Sequence, residues 1–128
     1  MIQITNYKHY DLEERTFLFA ARVKNFIKVL PKNMINYEIA KQLIRSACSI
    51  GANYIEANES LSKKDFVMRV RICKKEAKES RYWLRLIEVG NNQELINEQQ
   101  YLIGEATELM KIFGAMIEKS TKNKKDNK

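Results

Sequence analysis

At 128 residues with a net charge of +7, the chain has the size of one domain, and one proline with four glycines leaves few turn formers for an all-β fold. No run approaches the roughly 18 apolar residues of a membrane span. The polar, partly acidic start MIQITNYKHYDLEE does not read as a secretory signal, so the expected setting is the cytoplasm, with no membrane partner.

Asp11 followed by Glu14 predicts a capping box and a first helix that runs to Leu30, ahead of Pro31. Leu12, Phe19, Val23, Phe26 and Leu30 draw one apolar stripe along it, while Phe17 and Leu18 lie off the stripe. PKNMIN reads as a loop, and Asn36 as the cap of a second helix from Tyr37 to about Ala57. Ile39, Leu43, Ala47, Ile50 and Tyr54 form one line of that helix. Ala40, Ile44, Cys48, Gly51 and Ile55 form the next, so a wide buried face is expected. Ser62 with Asp65 predicts the start of a third helix that continues to Val89 and stops at Gly90. Its Phe66, Val70, Cys73, Ala77, Ser80, Leu84 and Ile87 alternate steps of four and three, a heptad seam. Asn91 with Glu94 predicts a fourth start, followed by Leu95, Leu102, Ala106, Leu109, Phe113 and Met116 and by fraying near Lys119. Short loops make neighbouring helices antiparallel. The expected fold is therefore all-α: an up-down-up-down four-helix bundle over residues 1–119 and a disordered basic tail over 120–128. Apolar residues outside the main seams, Phe17 and Leu18 on the first helix and Met68 and Ile72 on the third, predict self-association.

The centre of the second helix is small and polar. Ala47, Cys48, Gly51 and Ala52 lower its surface, so another backbone or a ring such as Trp83, Tyr54, Phe66 or Phe113 can approach closely. Arg45, Ser49, Asn53 and Glu56 each lie about one turn from the next and read as a structural polar patch that fixes helix register; a binding site is the other reading. Cys48 and Cys73 have no C-x-x-C spacing and read as buried thiols in a reducing compartment.

Little in the chain points to catalysis, to a cofactor or to a metal. The single histidine, His9, lies in the N-terminal arm, so neither the Glu-x-x-His pairs of a di-iron bundle nor a Cys/His zinc set can be assembled. A glycine-rich phosphate loop is absent. Glu76 and Glu79 can meet Glu56 or Glu59, and paired carboxylates can hold Mg²⁺ or move protons; with Arg45, Arg69 and Arg81 at hand, salt bridges are the expected outcome.

Charge distribution says more. The last ten residues hold five lysines against one aspartate, and residues 63–88 hold nine basic residues against four acidic ones. On the third helix Lys64, Arg71, Lys78 and Arg85 recur every seven residues without an acid on their line, and Lys74, Lys75, Arg81 and Tyr82 fill the adjoining lines. Two helical turns advance about 10.5 Å, so this column of cations suits phosphate contacts, with Arg or Tyr available to stack on unpaired bases. These eight residues are the candidate nucleic-acid-binding site. A solvated face of charged residues, with a tail that only aids solubility, is the alternative.

The runs SIGANYIEA (Ser49 to Ala57), SKKDF (Ser62 to Phe66) and KKEAKESRYWLRL (Lys74 to Leu86) resemble those of the bacterial four-helix-bundle proteins encoded in intervening sequences of 23S ribosomal RNA genes. Arg15 in the first helix and the Leu30-Pro31 loop extend the resemblance to nearly the whole chain. Ser60, in place of an alanine, and Lys74, in place of an apolar residue, depart from it. That family in turn resembles the pentameric accessory protein of diversity-generating retroelements, which binds nucleic acid beside a reverse transcriptase. The resemblance implies a ring-shaped homopentamer, a cytoplasmic setting and no enzymatic activity. Two functions follow as expectations: a nucleic-acid-binding oligomer, an accessory to rRNA or to a reverse transcriptase, or a protein–protein interaction scaffold with no nucleic-acid role.

Overall fold

Steps of three and four residues place the apolar side chains of each segment on one side of a helix, and four helices bury those sides against one another. The computed structural model describes residues 12–126, with side chains through Lys122. α1 (Leu12–Lys28), α2 (Met34–Asn58), α3 (Lys63–Leu86) and α4 (Gln93–Asp126) follow in chain order, and no strand occurs among the described residues. α2 packs on α1 and α3, α3 packs on α4, and α4 returns to α1, so the neighbours expected of an up-down-up-down bundle are in contact. Phe19 and Val23 of α1, Leu43 and Ile50 of α2, Val70 and Leu84 of α3, and Leu102, Leu109 and Phe113 of α4 form the core. The α3 heptad seam is buried throughout, except that Phe66 is half-buried. Inside this core the hydroxyls of Ser46 and Ser80 share a hydrogen bond of 2.8 Å between α2 and α3.

Several element ends differ from the sequence reading. α2 starts a turn early because Asn33, not Asn36, caps it, its Oδ1 accepting from the Asn36 amide at 2.8 Å. Asn36 is buried instead. Its Nδ2 donates to Pro31 O and Glu88 O, and its Oδ1 accepts from the Glu88 amide, which ties the α1–α2 loop to the α3–α4 loop. Ser62 caps α3 as expected, accepting from Asp65 N, but the helix ends at Leu86 rather than Val89, and Gly90 turns the chain at φ 68°. Asn92 rather than Asn91 accepts from the first turn of α4. α4 does not end near Lys119 but runs to Asp126, so the first seven residues of the expected disordered tail, 120–126, are helical here. The Asp11 cap and His9 lie outside the described residues.

The second line of α2 is not a buried seam. Ile44 and Gly51 are half-buried, whereas Cys48 and Ile55 are exposed along an open groove between α1 and α2. The expectation of two buried thiols therefore holds only for Cys73, whose burial pushes its thiol up to about 12; Cys48 is exposed. Close approach does explain Gly51, but the group opposite is not an aromatic ring. A Cβ placed there would stand 3.1 Å from Thr16 Oγ1 of α1. Gly51→Leu should thus wedge α1 from α2 and cost about 1–3 kcal/mol; a thermal melt indistinguishable from the parent's would refute this close approach.

α1 and α4 meet through two Arg–Glu pairs. Arg15 donates from Nε and Nη2 to Glu105 at 2.7 and 3.0 Å, with both side chains almost fully buried. Arg22 pairs with Glu98 in the same two-pronged way nearer solvent, its guanidinium 3.7 Å from the centre of the Tyr101 ring. Removing one member of a buried pair leaves an unmatched charge, at a cost of about 3–5 kcal/mol, whereas replacing both by apolar residues is often near neutral. Denaturant titration should accordingly show Glu105→Leu strongly destabilised and Arg15→Met/Glu105→Leu largely restored; equal effects would show that the two charges are not coupled.

Candidate nucleic-acid interface

α3 carries the eight candidate residues because its other side is committed to the core. Lys64, Arg71, Lys74, Lys75, Lys78, Tyr82 and Arg85 are all exposed, and Arg81 is half-buried. Tyr82 presents its ring while packing edge-on against Trp83, with centroids 4.9 Å apart. The ion pairs among the described residues draw on Arg15, Arg22, Lys41, Arg45 and Lys111, and on none of these seven cations.

Glu76 and Glu79 of α3 lie toward α2, whereas Asp65 in its first turn lines the side toward α4. Arg45 reaches across from α2 to Glu76 at 3.2 Å and Glu79 at 2.8 Å, and the bond to Glu76 is the main reason its guanidinium is held ionised above its ordinary value. Asn53 donates to Ser49 O and Oγ at 2.9 and 3.0 Å, and its own Oδ1 accepts from Arg69 of α3 at 3.0 Å. Arg45 and Asn53 thus bond across the α2–α3 contact, and Ser49 bonds Asn53 within α2. Glu56 is exposed, and the bonds to Asn53 come from Ser49 and Arg69 instead. No group of three or more His, Cys, Asp and Glu side chains gathers among the described residues.

Toward α4 the balance is reversed. Arg71, Lys74, Lys75 and Lys78 line an open cavity of about 560 Å³ whose α4 wall is Gly114, Ile117, Glu118 and Thr121. A second cavity of about 680 Å³ adjoins it, lined in part by Lys63, Lys64 and Met68, with Arg71 and Thr121 common to both. The sequence reading found the α3 wall and missed the α4 wall. Gly114 follows the core residue Phe113 directly, and that register was the available signal. A Cβ on Gly114 would lie 3.6 Å from Lys74 Nζ, so the ammonium of Lys74 sits beside bare helix backbone. Arg85 and Tyr82 stand beyond this groove along α3, and neither lines it.

An antiparallel helical bundle with a cationic groove between its last two helices defines the class of protein. Residues 8–115 match the family described as 23S rRNA-intervening sequence protein, and the chain belongs to that family. A crystal structure of a protein with unknown function from the S23 ribosomal protein family of Bacteroides thetaiotaomicron VPI-5482 is similar, at 31% identity and a TM-score of 0.71, over 82% of this chain and 96% of that one. No curated protein sequence matches the chain. No helix among the described residues is long and apolar enough to cross a membrane.

Proposed function

We propose that this chain is a non-enzymatic nucleic-acid-binding protein of the cytoplasm that acts as a homo-oligomer. One observation carries the reading: the exposed cations of α3 that face α4 form no ion pair among the described residues and line a continuous groove. Charges held this way keep their full attraction for phosphate, because no internal pair must be broken before they bind. The family's description names a 23S rRNA intervening sequence; an accessory role beside rRNA or a reverse transcriptase extends that name through the family resemblance. Reversing Arg71, Lys78 and Arg85 to Glu should weaken RNA and DNA binding strongly while helicity persists. The slope of log affinity against log salt should shrink by about 0.9 for each phosphate no longer bound on duplex and about 0.7 on single strands. A chain truncated after Thr121, which keeps the groove wall and removes Lys122, Lys124, Lys125 and Lys128, is the control for the lysine-rich end. Loss of binding in that chain, with none in the triple reversal, would transfer the site from α3 to the end of α4.

Self-association is supported by apolar surface that the bundle leaves uncovered. Phe17 is 64% exposed and Ile55 50%, while Leu18 and Ile72 are half-buried; Met68, 48% exposed, lines the α3/α4 groove instead. A small bundle with such faces gains by covering them with copies of itself. The five-fold ring comes from the family resemblance. Light scattering at micromolar concentration should report a multiple of the 15.1 kDa chain, near five, and Phe17→Glu should reduce it; a 15.1 kDa parent species would remove the claim. The same apolar faces favour a second reading, a scaffold for other proteins, whose contacts would barely respond to salt.

A further inference from the structure

We infer that the α3/α4 groove takes one unpaired nucleic-acid strand, seated against Gly114, in preference to a duplex. The inference rests on the nucleic-acid reading above and adds which form the site selects. Gly114 is the step in the α4 wall. With no side chain there, the ammonium of Lys74, on an otherwise exposed side chain, lies beside the helix, 3.6 Å from where a Cβ would be. A phosphate that enters the groove meets Lys74 at the α4 wall together with Arg71, Lys75 and Lys78, which line the same open groove. Packed helix axes lie only about 8–10 Å apart, so one strand can lie between α3 and α4 whereas a rod as wide as a duplex bears on the outer ridge.

The groove is also long enough to act as a track. From Lys78 to Lys64 it follows α3 for roughly 21 Å at 1.5 Å per residue, through two cavities joined at Arg71 and Thr121. Apolar surface alternates with charge along it, from Ile117 in the first cavity to Met68 in the second. The cations can follow a strand's backbone, and Ile117 and Met68 offer its bases apolar surface in place of the aromatic platforms of other single-strand grooves.

The test compares a labelled oligo(dU) of about 12 nucleotides, within the range of about 4–16 for single-strand sites, with a duplex of equal length on the full chain. Gly114→Leu adds no charge but fills the step and displaces Lys74. It should weaken oligo(dU) binding and reduce its salt slope by about 0.7 for each phosphate released, with duplex binding unchanged. Gly114→Ala, whose added carbon meets Lys74 at ordinary van der Waals distance, should give a smaller effect of the same sign in a chain that folds at least as well. Gly104→Leu, about 15 Å along α4 where an added Cβ meets nothing, should change neither form. Undiminished oligo(dU) binding by Gly114→Leu, or an equal loss on both forms, overturns the inference. If the Arg71/Lys78/Arg85 reversal abolishes binding while Gly114→Leu does nothing, the groove assignment fails and the nucleic-acid reading stands. If the parent chain binds neither probe, both fail.

Discussion

Two opposite charges buried between the first and last helices hold the bundle in its register. Arg15 and Glu105 meet at 2.7 Å with side chains only 6% and 7% exposed, and Arg22 repeats the arrangement with Glu98 nearer the surface. The two arginines are seven residues apart on α1 and the two glutamates seven apart on the antiparallel α4, so both pairs form in one alignment. Sliding α1 by a turn would leave Arg15 desolvated without its partner, a penalty that apolar groups tolerate far more easily than charges do. That alignment turns Phe19, Val23 and Phe26 inward and brings Thr16 under Gly51. The stretch of α4 from Gly114 to Thr121 lies beyond the Arg15–Glu105 pair along the helix and packs beside α3, where the cationic groove forms.

α3 shows how one helix can serve both the fold and a ligand. Glu76 and Glu79 face α2 and are taken up by Arg45, and Arg69 is taken up by Asn53. The side facing α4 has cations in excess of its acids, Asp65 of α3 and Glu118 of α4. That excess leaves attraction for a polyanion on one flank without unpairing the other.

Much of the fold was legible in the sequence, because burial follows periodicity. The α3 seam and the stripe of α1 are where steps of three and four place them, and the Ser62 cap announces itself through Asp65. What could not be read depends on partners distant along the chain. Asn36 looks like a cap until Glu88, 52 residues away, claims its amide. Asn33 and Asn92 cap in place of neighbouring asparagines, a choice between nearby residues that local preference does not make. Ala40, Ile44, Cys48, Gly51 and Ile55 have the spacing of a seam, yet no helix of the same chain covers them fully. For the candidate site, periodicity exposed the cations of α3, whereas the opposite wall at Gly114 and Thr121 needed the packing of α4. The end of α4 was misread because a lysine-rich composition suggests fraying, although lysine itself is a good helix former.

The amide of Asn36 binds the α1–α2 loop to the α3–α4 loop, and both loops lie at the same end of the bundle. At the other end the α2–α3 loop is the sole covalent link between two helical hairpins, and its Leu61 is fully exposed. Leu61 adds no packing at residues 60–61, so the contacts between the hairpins are those of the Asn36 bridge and of the packed helices, and the link itself supplies their proximity. Two separately produced fragments, 1–60 and 61–128, would be expected to recombine into one bundle, and co-purification of the second on a tagged first is the direct check. Such a split chain would let either hairpin be exchanged for a relative's, one half at a time.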